Sequence, residues 1–217
     1  MQRRPNLLRS ERLPPEPRQR RSLEKRARLK DAALALFNAH GYERTSIEEI
    51  AKRGNLATGT FYQHYRSKRQ LLLVLMEDLL TAMSQLNLQP SAGGNPRTLL
   101  RELLARAFTT DRRYLGAYRA WREAMLSDPH LARDWREIRE WTTQRVVALL
   151  TLLQQWPGAR KDIAIAPLAE VVDTLGWSLL EKPAFMSLEQ VNARIDAATH
   201  LIYHAVFLDT PEQRSVH

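Results

Sequence analysis

Cysteine is absent from all 217 residues. That excludes a disulfide scaffold, a thiolate zinc site, an iron–sulfur cluster and a cysteine nucleophile. Glycine is scarce, with 8 residues, which excludes collagen-like or glycine-linker character. Long hydrophobic runs are missing too. The longest clean one, Leu71 to Met76, falls far short of the roughly 18–20 residues that a membrane-spanning helix needs. The Arg-rich N-terminus has no apolar segment behind it, so it does not read as a secretory signal. No membrane partner is expected, and a cytoplasmic location is. No stretch sustains period-two alternation, and neither Asn-Gly nor Asp-Gly occurs as a hairpin turn. A phosphate-binding glycine loop, a Gly-x-Ser-x-Gly elbow and a nucleophile beside a base are all missing. The chain is therefore not expected to be an enzyme or to carry a cofactor.

Acidic residues are sparse where basic ones are dense. Residues 1–70 hold 17 Lys/Arg against 7 Asp/Glu, whereas residues 71–217 are nearly balanced. The first third thus carries the whole +9 excess. Such asymmetry points to a polyanion-binding part joined to a neutral part. Nucleic acid leads as the partner, because counterion release from phosphates drives that association. An anionic membrane surface and a merely solubilising tail are the competitors.

Residues 1–21 combine Pro5, Pro14, Pro15 and Pro17 with many arginines and read as a disordered basic arm. Beyond it, Leu29, Ala32, Ala33, Leu36 and Phe37 mark one face of a helix that Gly41 can end. Thr45–Glu48 and Ser46–Glu49 both have capping-box spacing for a short helix to Arg53. Gly54 and Asn55 break it. Another short helix follows from Ala57 or Thr58 to about Tyr65. Helix, tight turn, helix is the signature of a DNA-reading element whose second helix enters the major groove. Ser67 caps a fourth helix, which runs to about Leu86. Gln89 to Pro96 reads as a loop. Further helices are expected near 97–109, 111–127, 130–155, 163–181 and 187–208. Their breaks fall at Asp128-Pro129, Trp156-Pro157-Gly158 and Lys182-Pro183. The fold class is all-α.

Gly41-Tyr42, Thr45, Ile47, Ile50-Ala51, Gly59-Thr60-Phe61-Tyr62, Tyr65, Ser67-Lys68 and Leu71-Leu72, with the first-helix residues above, resemble the DNA-binding domain of the TetR family of bacterial transcription regulators. The resemblance implies an N-terminal three-helix helix-turn-helix domain at 22–67. It also implies a larger helical domain at 68–217 that binds a small effector and dimerises. The expected DNA-binding residues are Thr45, Thr58, Gly59, Thr60, Tyr62, Gln63, His64 and Lys68. Gly59 allows close approach to the backbone, and Thr60 suits phosphate or a thymine methyl. Tyr62 and Lys68 suit phosphate, and Gln63 suits adenine. His64 suits phosphate or guanine. Thr45 suits phosphate at a helix N-terminus. Phe61 and Tyr65 are expected to pack inward. Asn55 stands where the family usually has Gly, and Ala57 where it often has Ser. Ala cannot cap, so Thr58 is expected to take over.

In the remaining chain, Leu168, Val171, Val172, Leu175 and Leu179 make one apolar stripe. Val191, Ile195, Ala198, Ile202 and Ala205 make another. Either a homodimer interface or a monomer core accounts for them. Phe108, Tyr118, Trp121, Arg122, Trp141 and Trp177 are candidates to line an effector pocket, with core packing as the alternative. Asp196, His200 and His204 share a helix face at metal-chelating spacing, but Leu201 stands where a metalloprotease has Glu. No metal is expected. The resemblance implies a homodimeric, ligand-responsive regulator, a repressor by family tendency. It would bind a palindromic double-stranded operator and be released by an apolar or amphipathic effector. The rival is a non-specific nucleic-acid binder.

Overall fold

The computed structural model describes residues 3–15, 19–86, 95–179 and 187–207, without the side chains of 109–112 and 179. The helices are α1 (Arg20–His40), α2 (Ile47–Arg53), α3 (Thr58–His64), α4 (Lys68–Gln85) and α5 (Pro96–Arg112). They continue with α6 (Leu115–Ala124), α7 (Pro129–Gln154), α8 (Ile165–Leu179) and α9 (Leu188–Val206). Among the described residues the one extended pairing is an isolated bridge between Ala159 and Phe207. The all-α expectation holds. Residues 89–94 of the expected Gln89–Pro96 loop and the break at Lys182-Pro183 lie outside the described residues, and Pro96 already begins α5.

Contacts divide the chain into two units. One holds residues 4–85 and 110–137, so it contains α1–α4, α6 and the start of α7. The other contains most of α5, the remainder of α7, and α8 and α9. In this division α4 and α6 group with the helix-turn-helix.

In the first unit, α1 buries Leu29, Ala32, Ala33, Leu36 and Phe37, the face its spacing predicts. Gly41 ends it at φ 85, a left-handed value that a side chain resists. α4 buries every residue from Leu71 to Met76. Each Leu-sized side chain so removed from water contributes roughly 1.5–3 kcal/mol, which makes α4 the spine of this unit. α6 crosses α1 at Gly116, where an added Cβ would collide with the Leu34 carbonyl.

The basic arm differs from its expectation. Pro5 and Leu7 are buried. The Leu7 amide donates to Glu77 on α4 at 3.0 Å. Arg9 makes two hydrogen bonds to Glu137, at 2.8 and 3.0 Å. Glu11 pairs with Arg69 at 2.7 Å. Proline forbids a helix here but not an extended strap, and carboxylates on α4 and α7 receive its arginines. Residues 16–18 lie outside the description.

In the second unit, Leu100, Leu150, Leu153, Ala169, Ile202, Val206 and Phe207 form the core. A Ser187–Gln190 capping box starts α9. Val191, Ile195, Ala198 and Ile202 are already buried within the single chain. That stripe of α9 is core. On α8, by contrast, Val171 is 66% exposed.

The crossing of α6 over α1 yields a test. Gly116→Ala is expected to cost about 1–3 kcal/mol by overpacking. At this chain length that lowers the melting temperature by roughly 2–10 °C in a circular-dichroism melt. Gly59→Ala, whose Cβ would meet open space, should leave the melting temperature unchanged or slightly higher, because alanine favours helix.

Candidate nucleic-acid interface

Helix α2 starts with a complete capping box. Ser46 Oγ accepts from the Glu49 amide at 3.1 Å, and Glu49 accepts from the Ser46 amide at 2.8 Å. Of the two spacings in the sequence, Ser46–Glu49 forms the box. Hydrogen bonding from the Ser46 amide, and then from the Ser46 side chain, holds the Glu49 carboxyl below its usual range. After α2, Asn55 takes φ 52, the one non-glycine positive φ among the described residues. Asn tolerates this conformation. Arg28 of α1 also fixes the turn, donating to the Asn55 carbonyl at 2.8 Å.

Helix α3 has two faces. Phe61 and Tyr65 are fully buried, with ring centroids 5.7 Å apart. The Tyr65 hydroxyl receives a bond from Arg26 at 3.4 Å. Burial pushes the Tyr65 phenol up to about 12. Gly59, Tyr62 and Gln63 face outward, and Tyr62 is 52% exposed. Thr58 and Thr60 are half-buried. Ala57 is the N-cap without a side-chain bond, so Thr58 is the first helical residue and does not take over as cap. The first amides of α3 therefore have no side-chain acceptor. A shallow hollow of about 410 Å³ links the turn to this helix start, lined by Glu48, Lys52, Asn55, Leu56, Ala57 and Thr58. Arg44, Lys52, Arg53 and Arg66 are exposed nearby in sequence.

Three expected contact residues have internal roles instead. Thr45 is buried, and its hydroxyl donates to the Gly41 carbonyl at 2.7 Å. Its amide donates to Tyr42 O. The Lys68 ammonium donates to the carbonyls of Tyr42 and Thr45 at 2.7 and 2.9 Å and sits 4.3 Å from the Tyr42 ring centroid. It organises the loop between α1 and α2. Burial lowers its pKa, and Glu43, Glu123 and Glu49 oppose that shift. His64 is buried, and burial, then Arg26 and Lys25, lower its pKa. At neutral pH it is an uncharged imidazole inside the unit.

Sequence reading missed the residues that hold this element from afar. Glu123 of α6 accepts from the Tyr42 and Glu43 amides at 2.6 and 3.1 Å. Arg119 donates to the Asn38 carbonyl at the end of α1. These partners lie about 80 residues apart in sequence, and no local pattern announces them.

The six candidate effector residues do not converge in either unit. Tyr118 and Trp121 are core side chains of the first unit, and Arg122 is exposed there. Phe108 is half-buried in the second unit. Trp141 and Trp177 are buried there, and Trp177 Nε1 donates to Thr142 Oγ1 at 3.3 Å. Beside them lies Asp173, which the sequence reading did not single out. It is 4% exposed, 3.2 Å from Arg139 and 3.1 Å from Thr143. Burial raises its pKa against the pull of Thr142, Arg139 and Thr143. On α9, His200 and His204 have ring centroids 4.2 Å apart, but Asp196 pairs with Arg101 at 2.6 Å. No metal-binding group of three such residues occurs among the described residues. None of the described helices is long and apolar enough to cross a membrane.

A capped helix, a tight turn and a second helix with an outward polar face define a helix-turn-helix DNA-binding unit. Comparison with known proteins agrees. Residues 29–75 match the family model described as bacterial regulatory proteins, tetR family. The HTH-type transcriptional regulator AcrR of Shigella flexneri is 35% identical over 83 residues, 37% of this chain and 39% of that protein. The HTH-type transcriptional repressor KstR of Rhodococcus jostii is 42% identical over 50 residues, 23% of this chain and 24% of that protein. These matches span less than half of either relative's length. A transcriptional regulator from Saccharomonospora viridis, solved in complex with choline, shares the fold at a TM-score of 0.69 and 18% identity, covering 86% of this chain and all of that one. Over residues 29–75 the chain is thus similar to the tetR family of bacterial regulatory proteins. Its relatives are named as transcription regulators and not as enzymes.

Buried His64 predicts a pH dependence. The unfolded imidazole binds its proton near 6.5, and the folded one only at lower pH. Across that window the unfolded state binds more protons, so stability is complete above the unfolded value and falls as pH drops through it. Between pH 7.5 and 5.5 the wild-type melting temperature should fall more than that of His64→Gln. Parallel profiles would place the acid sensitivity elsewhere.

Proposed function

We propose that the protein is a homodimeric, ligand-responsive transcriptional repressor. It binds a palindromic operator through α3 and is released by a small apolar or amphipathic effector. The observation that carries the reading is the outward set Gly59, Tyr62 and Gln63 on a helix whose other side is locked into the core. A reading helix needs this division, because its position must be fixed while its polar side chains remain available to base edges and phosphates.

In this reading Tyr62 and Thr60 anchor to phosphate and Gln63 reads a base. Thr58 and the uncapped start of α3 take a backbone phosphate, and Gly59 leaves room for it. The chain's two-fold partner is a second copy, so that two recognition helices meet successive major grooves. Val171 on α8 is the exposed apolar residue that best suits such an interface. Repression follows the name of the Rhodococcus jostii relative.

Two buried groups support the effector part. Trp121 Nε1 has no hydrogen-bond partner, although buried donors are normally satisfied. Asp173, Thr142 and Trp177 combine an aromatic wall with polar groups, the composition of a small-molecule site. The Saccharomonospora viridis regulator holds choline, and an amphipathic ligand for this chain is of comparable character.

Selection of random duplex DNA by the purified protein should enrich a palindrome with half-sites about one helical turn apart. Enrichment of base composition alone would leave a non-specific binder. On the selected site, Gln63→Ala should cost about 1–3 kcal/mol and relax preference at a single position. Tyr62→Phe should weaken all sequences alike, as loss of a phosphate contact does. Both effects are read by fluorescence anisotropy. Ligands found by thermal shift should release this DNA.

A further inference from the structure

The N-terminal arm runs away from the DNA-reading element. The Arg12 carbonyl accepts from Gln70, two residues past Lys68 at the start of α4. The Leu7 amide and the Arg4 guanidinium meet Glu77 instead. Glu77 lies about 10 Å further along the same helix. Arg9 continues in that direction to Glu137 at 2.8 Å and Asp134 at 3.6 Å on α7. All of these residues belong to the first unit. Arg4 and Arg9 are thereby neutralised on acidic sockets and turned from the surface their charge suits.

This docking is shallow. Arg9 and Glu137 remain 48% and 36% exposed, and ion pairs of that exposure contribute little and weaken with salt. The Arg4–Glu77 pair is less exposed, at 30% and 13%, and Pro5 and Leu7 are the buried apolar anchors among residues whose ordering costs conformational entropy. DNA phosphates offer the same arginines a stronger field, with counterion release.

We propose that the arm is an electrostatic latch. Arg4 and Arg9 rest on Glu77, Asp134 and Glu137 in the free protein, and leave them for the phosphates of bound duplex DNA. The inference rests on the DNA-binding reading and adds a regulated, sequence-independent contact to it. The latch holds non-specific affinity down until the helix-turn-helix has brought a duplex close.

The test uses the full chain and a random-sequence 30-base-pair duplex, with dissociation constants measured by anisotropy across a salt series. Glu77→Gln with Glu137→Gln keeps the shape and the acceptors but removes two socket charges. The double variant should bind more tightly. Its slope of log affinity against log salt should be steeper by up to about two, roughly 0.9 for each arginine that reaches phosphate. Doubling the salt should then weaken it about threefold more than the wild type. Removing residues 1–12 from the double variant should abolish the gain. Because Glu137 is partly exposed, Glu137→Gln alone serves if the double variant melts early, with a slope change of about one. Equal slopes in wild type and variant would overturn the latch. So would a gain that survives removal of the arm, since it would come from lost acidic charge alone. A chain that binds no duplex in any form would overturn the DNA-binding reading as well.

Discussion

The crossing of α6 over α1 is the constraint on which the DNA-binding unit depends. At Gly116 the two backbones come so close that no side chain fits between them. That proximity brings two ionic groups of α6 onto the end of α1. Arg119 takes the Asn38 carbonyl, and Glu123 takes the amides of Tyr42 and Glu43. The end of a helix leaves carbonyls unpaired, and the turn after it leaves amides unpaired. Here both are satisfied by charged partners, which make the stronger hydrogen bonds. Lys68 closes the same loop from α4 by holding the carbonyls of Tyr42 and Thr45. The start of α2, and with it the aim of α3, is thus set by α1, α4 and α6 together.

Within α3 a seven-residue helix has too little length to be stable alone. It persists because Phe61, His64 and Tyr65 are buried against the unit, while Gln63 is exposed and Tyr62, half exposed, meets the Phe61 ring edge-on at 5.6 Å. The buried side chains that stabilise the fold and the exposed polar ones therefore lie on opposite faces of two turns. The same separation explains why Thr45 and Lys68 serve the frame. Each sits where an unpaired backbone group would otherwise be buried, and a buried unpaired group costs more than a surface phosphate contact returns.

Much of this was legible in the chain. The spacing of Leu29, Ala32, Ala33, Leu36 and Phe37 showed the buried face of α1, because helix periodicity is local. Ser46 and Glu49 marked the start of α2 for the same reason. Asn55 could be assigned to a left-handed turn from its own chemistry. The exposure of Tyr62 and Gln63 followed from helix geometry once Phe61 and Tyr65 were taken as core. The inward roles of Thr45, His64 and Lys68 were not legible, since a polar residue near a helix terminus looks the same whether its partner is a phosphate or a carbonyl. The basic arm misled for a related reason. Proline and arginine exclude a helix, yet they say nothing about acidic residues 70 to 128 positions away.

By itself the sequence determined the helices, their caps and turns, the concentration of positive charge and the resemblance of its N-terminal segment to the tetR family. Those properties arise between residues a few positions apart, where backbone geometry leaves few choices. Only the tertiary structure decided which polar side chains face outward, how the arm lies, and whether an apolar stripe is core or surface. Val191 and Val171 show the difference: both follow helical spacing, and one is buried while the other is open. Periodicity states that a face exists. What covers it depends on residues brought together by the fold, and their distances are not written in sequence order.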